Sequence, residues 1–331
     1  MRQNVSSNQW VTCFYSYNMT PKSHFKKPAT TPEEQIKLLQ ERGMVVDDEF
    51  VACWHLQHIN YYRLGAYWLP FEKNPITHEF QLGANFATVL RLYNFDRELR
   101  LLLLEALERI EISIRTQWTS HIARNHGSHA YLEQNLAANV QLYEQNFENI
   151  KKDVDRSDEI FIRHSKSKYK EPLPAIWIVS EVISFGLLSK LYSNLKPMPT
   201  RRRIAETYLI DDKVLASWLH HLTYIRNLCA HHSRLWNREF TNIPKQPKNK
   251  PQILASEFIH NSRKLYNTLI ILLHCMDIID PKHQWRTKLK ILLNKDIPLS
   301  VMDFPLDWQS RNIWQNKEAK IVRRSKNVNF Y

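Results

Sequence analysis

Glycine is nearly missing from this chain, with five in 331 residues. Sheet-rich and Gly-loop α/β proteins need positive-φ residues at their turns, so so low a count points to helices. Cysteine is equally sparse. Cys13, Cys53, Cys229 and Cys275 stand far apart in apolar surroundings with no CxxC pair. That excludes a disulfide framework and fits a reduced, cytoplasmic setting. Long apolar runs are lacking too. The longest, around Leu269 to Leu273, is broken by His274 and Asp277, so no membrane span is expected, and the N-terminus shows no signal peptide. There is no Gly-rich phosphate loop, no Ser–His–Asp arrangement in context, and no carboxylate cluster for two-metal chemistry. No metal site and no cofactor is expected.

Acid is in deficit as well. The chain carries 46 Lys and Arg against 33 Asp and Glu, a formal charge of +13. Much of the excess falls late: residues 243–331 hold 16 basic and 7 acidic residues. Such a bias is the electrostatic footprint of a phosphate-backbone binder, although solubility or a basic tail would produce it too. With 43% hydrophobic and 24% charged residues, the chain has the composition of a folded protein.

Helical periodicity runs along most of it. Residues 1–25 read as a flexible N-terminal arm. Residues 26–85 form an N-terminal helical region that begins at Thr30-Thr31-Pro32-Glu33-Glu34, an N-cap, a first-turn proline and acids on the helix dipole. Arg42-Gly43 closes that helix. A second helix follows Asp47-Asp48-Glu49, with Phe50, Trp54 and Leu56 to Ile59 on its apolar side. Next comes the aromatic-rich Tyr61-Tyr62-Arg63 to Tyr67, a packing patch or a base-stacking one. Residues 72–85 read as a polar loop.

Residues 86–315 read as one helical domain. Its first helix runs from Phe86 to about His126, bent or broken near Asn94, with Leu99, Leu103, Ala106, Ile110 and Ile114 as its buried stripe. Residues 131–170 read as a projecting helical insertion with a basic end. A helix from Ala175 to about Ser184 continues through Gly186 toward Pro197, and a last long helix is expected from Ile253 to Met276. Residues 316–331 form a basic tail. The fold class is all-α.

One stretch concentrates chemistry: Arg226-Asn227-Leu228-Cys229-Ala230-His231. Cleaving RNA through its own 2′-OH needs a base for that proton, an acid for the departing 5′-oxygen and positive charge on the phosphorane. His titrates near neutral pH and serves as either acid or base. Arg offers a planar donor fork that matches phosphate oxygens, and Asn227 can orient either partner. On a straight helix Asn227 and His231 share a face, whereas Arg226 and His231 diverge by roughly 140° at about 100° per residue. Either the helix ends near Ala230, or Arg226 reaches round on its stem. One copy also supplies only one imidazole, which a homodimer with a composite cleft would double.

Plainer readings exist. An Arg-x4-His spacing occurs by chance in basic proteins; Arg226 could pair with Glu181 or Glu111, and His231 could simply pack. A zinc site would draw on His220, His221, Cys229, His231 and His232, but Cys229 points away from His231 on a helix. A non-catalytic RNA-binding or scaffold protein working through the basic C-terminal region would suit the charge.

The run Arg226 to His231, continuing through Ser233-Arg234-Leu235-Trp236-Asn237-Arg238, resembles the signature of the Abi-like family (AbiD/AbiF type), phage abortive-infection proteins with a HEPN domain. Further blocks share the resemblance in order: Glu34 to Gly43, Ile59 to Tyr67, Leu92 to Arg100, Glu108 to Arg115, Trp177 to Gly186, and Met302 to Trp314. The resemblance implies a HEPN-type helical bundle and metal-independent RNA cleavage by Arg226, Asn227 and His231. It also implies a homodimer, phage defence or toxin–antitoxin biology, and a small noncoding RNA antitoxin. Within that frame Glu108, Glu111, Glu181 and His232 are candidates to support the motif. Arg163, Lys166, Lys168, Arg234 and Arg238 are candidates to touch RNA. Arg115 and His121, with a longer gap and no following Asn, make a second motif only in outline.

Overall fold

The computed structural model describes residues 24, 27–74, 76–248 and 251–315; the N-terminal arm, His24 apart, and the basic tail lie outside them. The structure is 64% helix and 3% strand, an all-α fold with thirteen α-helices among the described residues. No helix among them is long and apolar enough to cross a membrane. The described residues divide into two compact units, one of those up to 63 with 71–86 and one of 64–70 with those from 87 to 315.

In the first unit, α1 (Pro32–Glu41) starts with the capping box its sequence spells. The Glu34 carboxylate accepts from the Thr31 amide at 2.8 Å, and the Thr31 hydroxyl accepts from the Glu34 amide at 3.3 Å. It ends at Gly43, whose φ of +92° suits glycine. Asp48 caps α2 (Glu49–His58). The buried residues of α2 are Ala52 and Leu56, while Phe50 and Trp54 are 82% and 53% exposed. Of the expected apolar side, Leu56 is buried, whereas Phe50 and Trp54 are not. The expected polar loop holds a hairpin instead: β1 (Glu72–Asn74) and β2 (Glu79–Phe80) are antiparallel. The Asn74 side chain accepts from the Ile76 amide at 2.8 Å and tightens the turn. Between these segments, α3 (Tyr61–Trp68) carries the chain from the first unit into the second.

The second unit is built on α4 (Phe86–His126), 41 residues long and continuous through Asn94 rather than broken there. Leu99, Leu103, Ala106, Ile110 and Ile114 are all buried on it, as the stripe predicts. Then follow α5 (Val140–Asp155), α6 (Ile160–Lys168), α7 (Ile176–Val182), α8 (Phe185–Ser193) and α9 (Pro199–Glu206). The chain continues through α10 (Asp212–Ala230), α11 (Gln252–Ala255), α12 (Leu265–Ile279) and α13 (Trp285–Leu293), closing in short 3-10 turns to Trp314.

Three expectations change here. The helical pair at 131–170 exists, but it packs on the bundle rather than projecting from it: α5 lies on α7 and α8, and α6 on α7, with Ile150, Val154 and Ile162 buried. The helix expected from Ala175 onward is two helices, because Ser184 caps α8 by accepting from the Leu187 amide at 3.2 Å. The late helix begins only at Leu265; upstream, Asn261 takes a φ of +54° and the Asn267 amide bonds both backbone groups of Ile259.

The inner face of α10 is held by Trp218, Leu222, Ile225 and Cys229, all buried. The imidazole of His221, also buried there, lies 2.7 Å from the Asn242 carbonyl through Nδ1 and 2.9 Å from the Thr268 hydroxyl through Nε2. A neutral ring satisfies both contacts, and burial lowers its pKa from 6.5 to about 4. Between those two values the unfolded chain binds a proton that the folded one does not, so stability should fall as pH drops through that window. The full difference is roughly 3 kcal/mol. Thermal midpoints at pH 7 and pH 5 should differ less for His221→Gln than for wild type; an equal difference would remove His221 as the cause.

Candidate functional site at the end of α10

Arg226, Asn227 and His231 sit at the C-terminal end of α10, with Asn227 and His231 turned away from its buried face and Arg226 at the edge of that face. Asn227 and His231 are exposed and Arg226 is half-buried. Arg226 donates from Nη1 to the Oδ1 of its chain neighbour Asn227 at 3.4 Å, and no hydrogen bond among the described residues joins it to His231. The helix stops here: the His232 amide donates to the Cys229 carbonyl at 3.0 Å and the Ser233 amide to the Leu228 carbonyl at 2.8 Å. That is a Schellman closure, with His232 at φ +56° in the place glycine usually takes. A β-carbon in this left-handed region carries some strain. Its consequence is that His231 becomes the C-cap, on the same side of the helix as Asn227.

What fixes that helix end is a buried charge cluster that sequence reading did not single out. Asp96 and Arg100, one turn apart on α4, are 0% and 4% exposed. Asp96 accepts from the Leu235 and Trp236 amides at 3.1 and 2.8 Å, from Tyr67 Oη at 2.7 Å and from Arg100 Nη1 at 2.7 Å. Arg100 also donates to the Ser233 carbonyl at 3.5 Å. Burial pushes the Asp96 carboxyl up, and the Tyr67 and Arg100 donors with the two amides pull the other way. The segment that leaves the motif is therefore pinned to α4 within three residues of His232.

The supporting acids are placed elsewhere. Glu111 pairs with Arg115, whose guanidinium also donates to the Ser180 carbonyl; among the described residues no hydrogen bond joins Arg115 to His121. Glu108 is exposed, and Glu181 is exposed beside Arg156 and Glu159. Among the described residues, no hydrogen bond or ion pair joins any of these three acids to Arg226, Asn227 or His231. Cys229 is buried, and burial raises its thiol to about 12, which suits packing rather than metal ligation. No three His, Cys, Asp or Glu side chains among the described residues gather as a metal cluster.

The basic candidates divide. Arg163, Lys166 and Lys168 are exposed on α6; Lys166 pairs with Asp155 at 2.9 Å and Lys168 lies over the Tyr169 ring. Arg234 and Arg238 are half-buried, and Arg238 donates to the Arg234 carbonyl at 3.4 Å. Beside Asn227, meanwhile, opens a groove of about 920 Å³ that also reaches His220 and Tyr224. Those residues were readable: 220, 224 and 227 follow a four-three spacing, one face of a helix.

By fold and site, this is an all-α protein that carries an arginine, an amide and a capping imidazole at the end of one helix. Residues 54–237, more than half of the chain and including the whole motif, match the model of the family described as Abi-like protein. The chain belongs to the Abi-like family, which ties it to abortive infection, a form of phage defence. No curated protein matches it, and no solved structure does.

Proposed function

We propose that this protein is a metal-independent endoribonuclease acting in the cytoplasm as an abortive-infection effector or as the toxin of a toxin–antitoxin pair. In this reading His231 moves the proton, as base toward the 2′-OH or acid toward the 5′-oxygen. Arg226 neutralises charge on the phosphorane, and Asn227 holds the phosphate and the guanidinium in register. The observation that carries it is the Arg226–Asn227 contact set beside an exposed imidazole at the helix cap. A single chain offers one such imidazole, so a homodimer would complete acid and base, and a small noncoding RNA antitoxin would hold the enzyme off.

Attack by the 2′-OH forms a bond to phosphorus and releases the 5′-oxygen, leaving a 2′,3′-cyclic phosphate and a 5′-hydroxyl. Purified protein incubated with total RNA in EDTA should produce cuts with those ends. Loss of cutting in EDTA would sink the metal-independent mechanism, and 3′-hydroxyl ends would sink 2′-OH attack.

A further inference from the structure

The groove beside Asn227 lies away from His231, along α10 toward its N-terminus, and the chemistry just described uses none of its other residues. Its walls come from α5, α8, α10 and the stretch 241–243, all in the second unit. His220 lies about 10 Å from Asn227 along the axis, at 1.5 Å per residue. The volume falls within the range of about 300–1,000 Å³ found for small-molecule sites, yet the lining is mostly amides and hydroxyls rather than apolar side chains.

Three features show what it suits. Tyr224 lines the groove and is braced edge-to-face on Phe240 at 6.0 Å, which fixes a ring against which a planar group can stack. His220 is paired with the Asn242 amide at 2.8 Å through Nδ1. With the amide donating, the ring proton sits on Nε2 as a hydrogen-bond donor. Lys190, exposed on the last turn of α8, lines the same groove with no ion pair among the described residues. The one carboxylate lining it, Asp153, is paired with Arg156 at 3.1 Å and accepts from the Ser184 amide at 3.4 Å. A stacking ring, fixed amides and a surplus cation are what unpaired bases on a phosphate backbone require.

We propose that this groove binds the single-stranded RNA flanking the scissile phosphate, with Tyr224 taking a base face, Asn242 and His220 a base edge or ribose, and Lys190 a phosphate. Its ligand rests on the ribonuclease reading above. Duplex RNA is excluded by the same chemistry, because its bases are stacked and their faces closed.

The test uses full-length His231→Ala protein, which should bind without cutting, and a fluorescein-labelled single-stranded RNA of mixed sequence read by anisotropy. Adding Tyr224→Leu should weaken binding about 5- to 150-fold, the span of one lost base stack. Lys190→Glu, at an exposed position that leaves the fold intact, should weaken it and flatten the salt dependence by about 0.7 in log–log slope. Lys37→Glu, an equal charge change on α1, should do neither. The unlabelled duplex of the same sequence should compete poorly. If wild type cleaves RNA but folded Tyr224→Leu and Lys190→Glu bind like their parent, or duplex competes equally, the groove assignment falls and the ribonuclease reading stands. If wild type neither binds nor cleaves RNA, both fall.

Discussion

Replacing His231 with alanine is expected to lower RNA cleavage by about 10²- to 10⁴-fold, the usual worth of a positioned general acid or base. RNA affinity and thermal midpoint should stay close to wild type. His231 is an exposed cap residue, and the closure of α10 runs through backbone groups of residues 228–233 that any side chain at 231 would leave in place. Arg226→Ala should cost a comparable factor through lost charge on the phosphorane, with some loss of affinity as well. Cleavage per chain should also fall on dilution if two copies build the cleft. A His231→Ala protein that cuts RNA at the wild-type rate would end the assignment of the imidazole. It would favour a protein that works by binding alone, in which Lys and Arg changes in the C-terminal region matter more.

How legible was this site before the structure? Its local parts were plain. The motif stands out because an arginine, an amide and an imidazole interrupt an apolar helical run. Of the two geometries that the Arg226–His231 spacing allows, the helix end near Ala230 is present. The capping box at Thr31 and the stripe of α4 were equally local and equally readable. What escaped were events decided by single residues inside continuous patterns. Ser184 divides one apolar run into two helices by capping the second. Asn261 and Asn267 hold open a turn where periodicity alone would continue a helix. The groove face of α10 was in the spacing of His220, Tyr224 and Asn227, but only the walls contributed by α5 and α8 make it a groove. Glu108, Glu111 and Glu181 lie in the right stretch of sequence, yet Glu111 is taken by a neighbour one turn away.

Asp96→Ala is expected to be the most damaging single change to the fold around the site. Asp96 lies about 139 residues from the amides it holds, so nothing in local sequence announces the contact. Removing one member of a buried ion pair leaves the other charge uncompensated, typically a loss of about 3–5 kcal/mol. In a unit of this size that corresponds to a thermal midpoint lower by roughly 6–20 °C. The Leu235 and Trp236 amides and the Tyr67 hydroxyl lose their acceptor in the same step. Because those amides begin within three residues of His232, the end of α10 should fray, and cleavage should drop even at temperatures where the protein stays folded. A paired replacement separates charge from anchoring. Asp96→Leu with Arg100→Met removes both charges and should recover part of the stability lost in Asp96→Ala, because Arg100 is no longer stranded. It should not recover cleavage, because the two amides still lack a carboxylate to hold them. Scanning calorimetry and cleavage rates on the same three proteins would decide it. Full activity in a stably folded double variant would show that α10 keeps its end without Asp96, and the carboxylate would then be a folding element only.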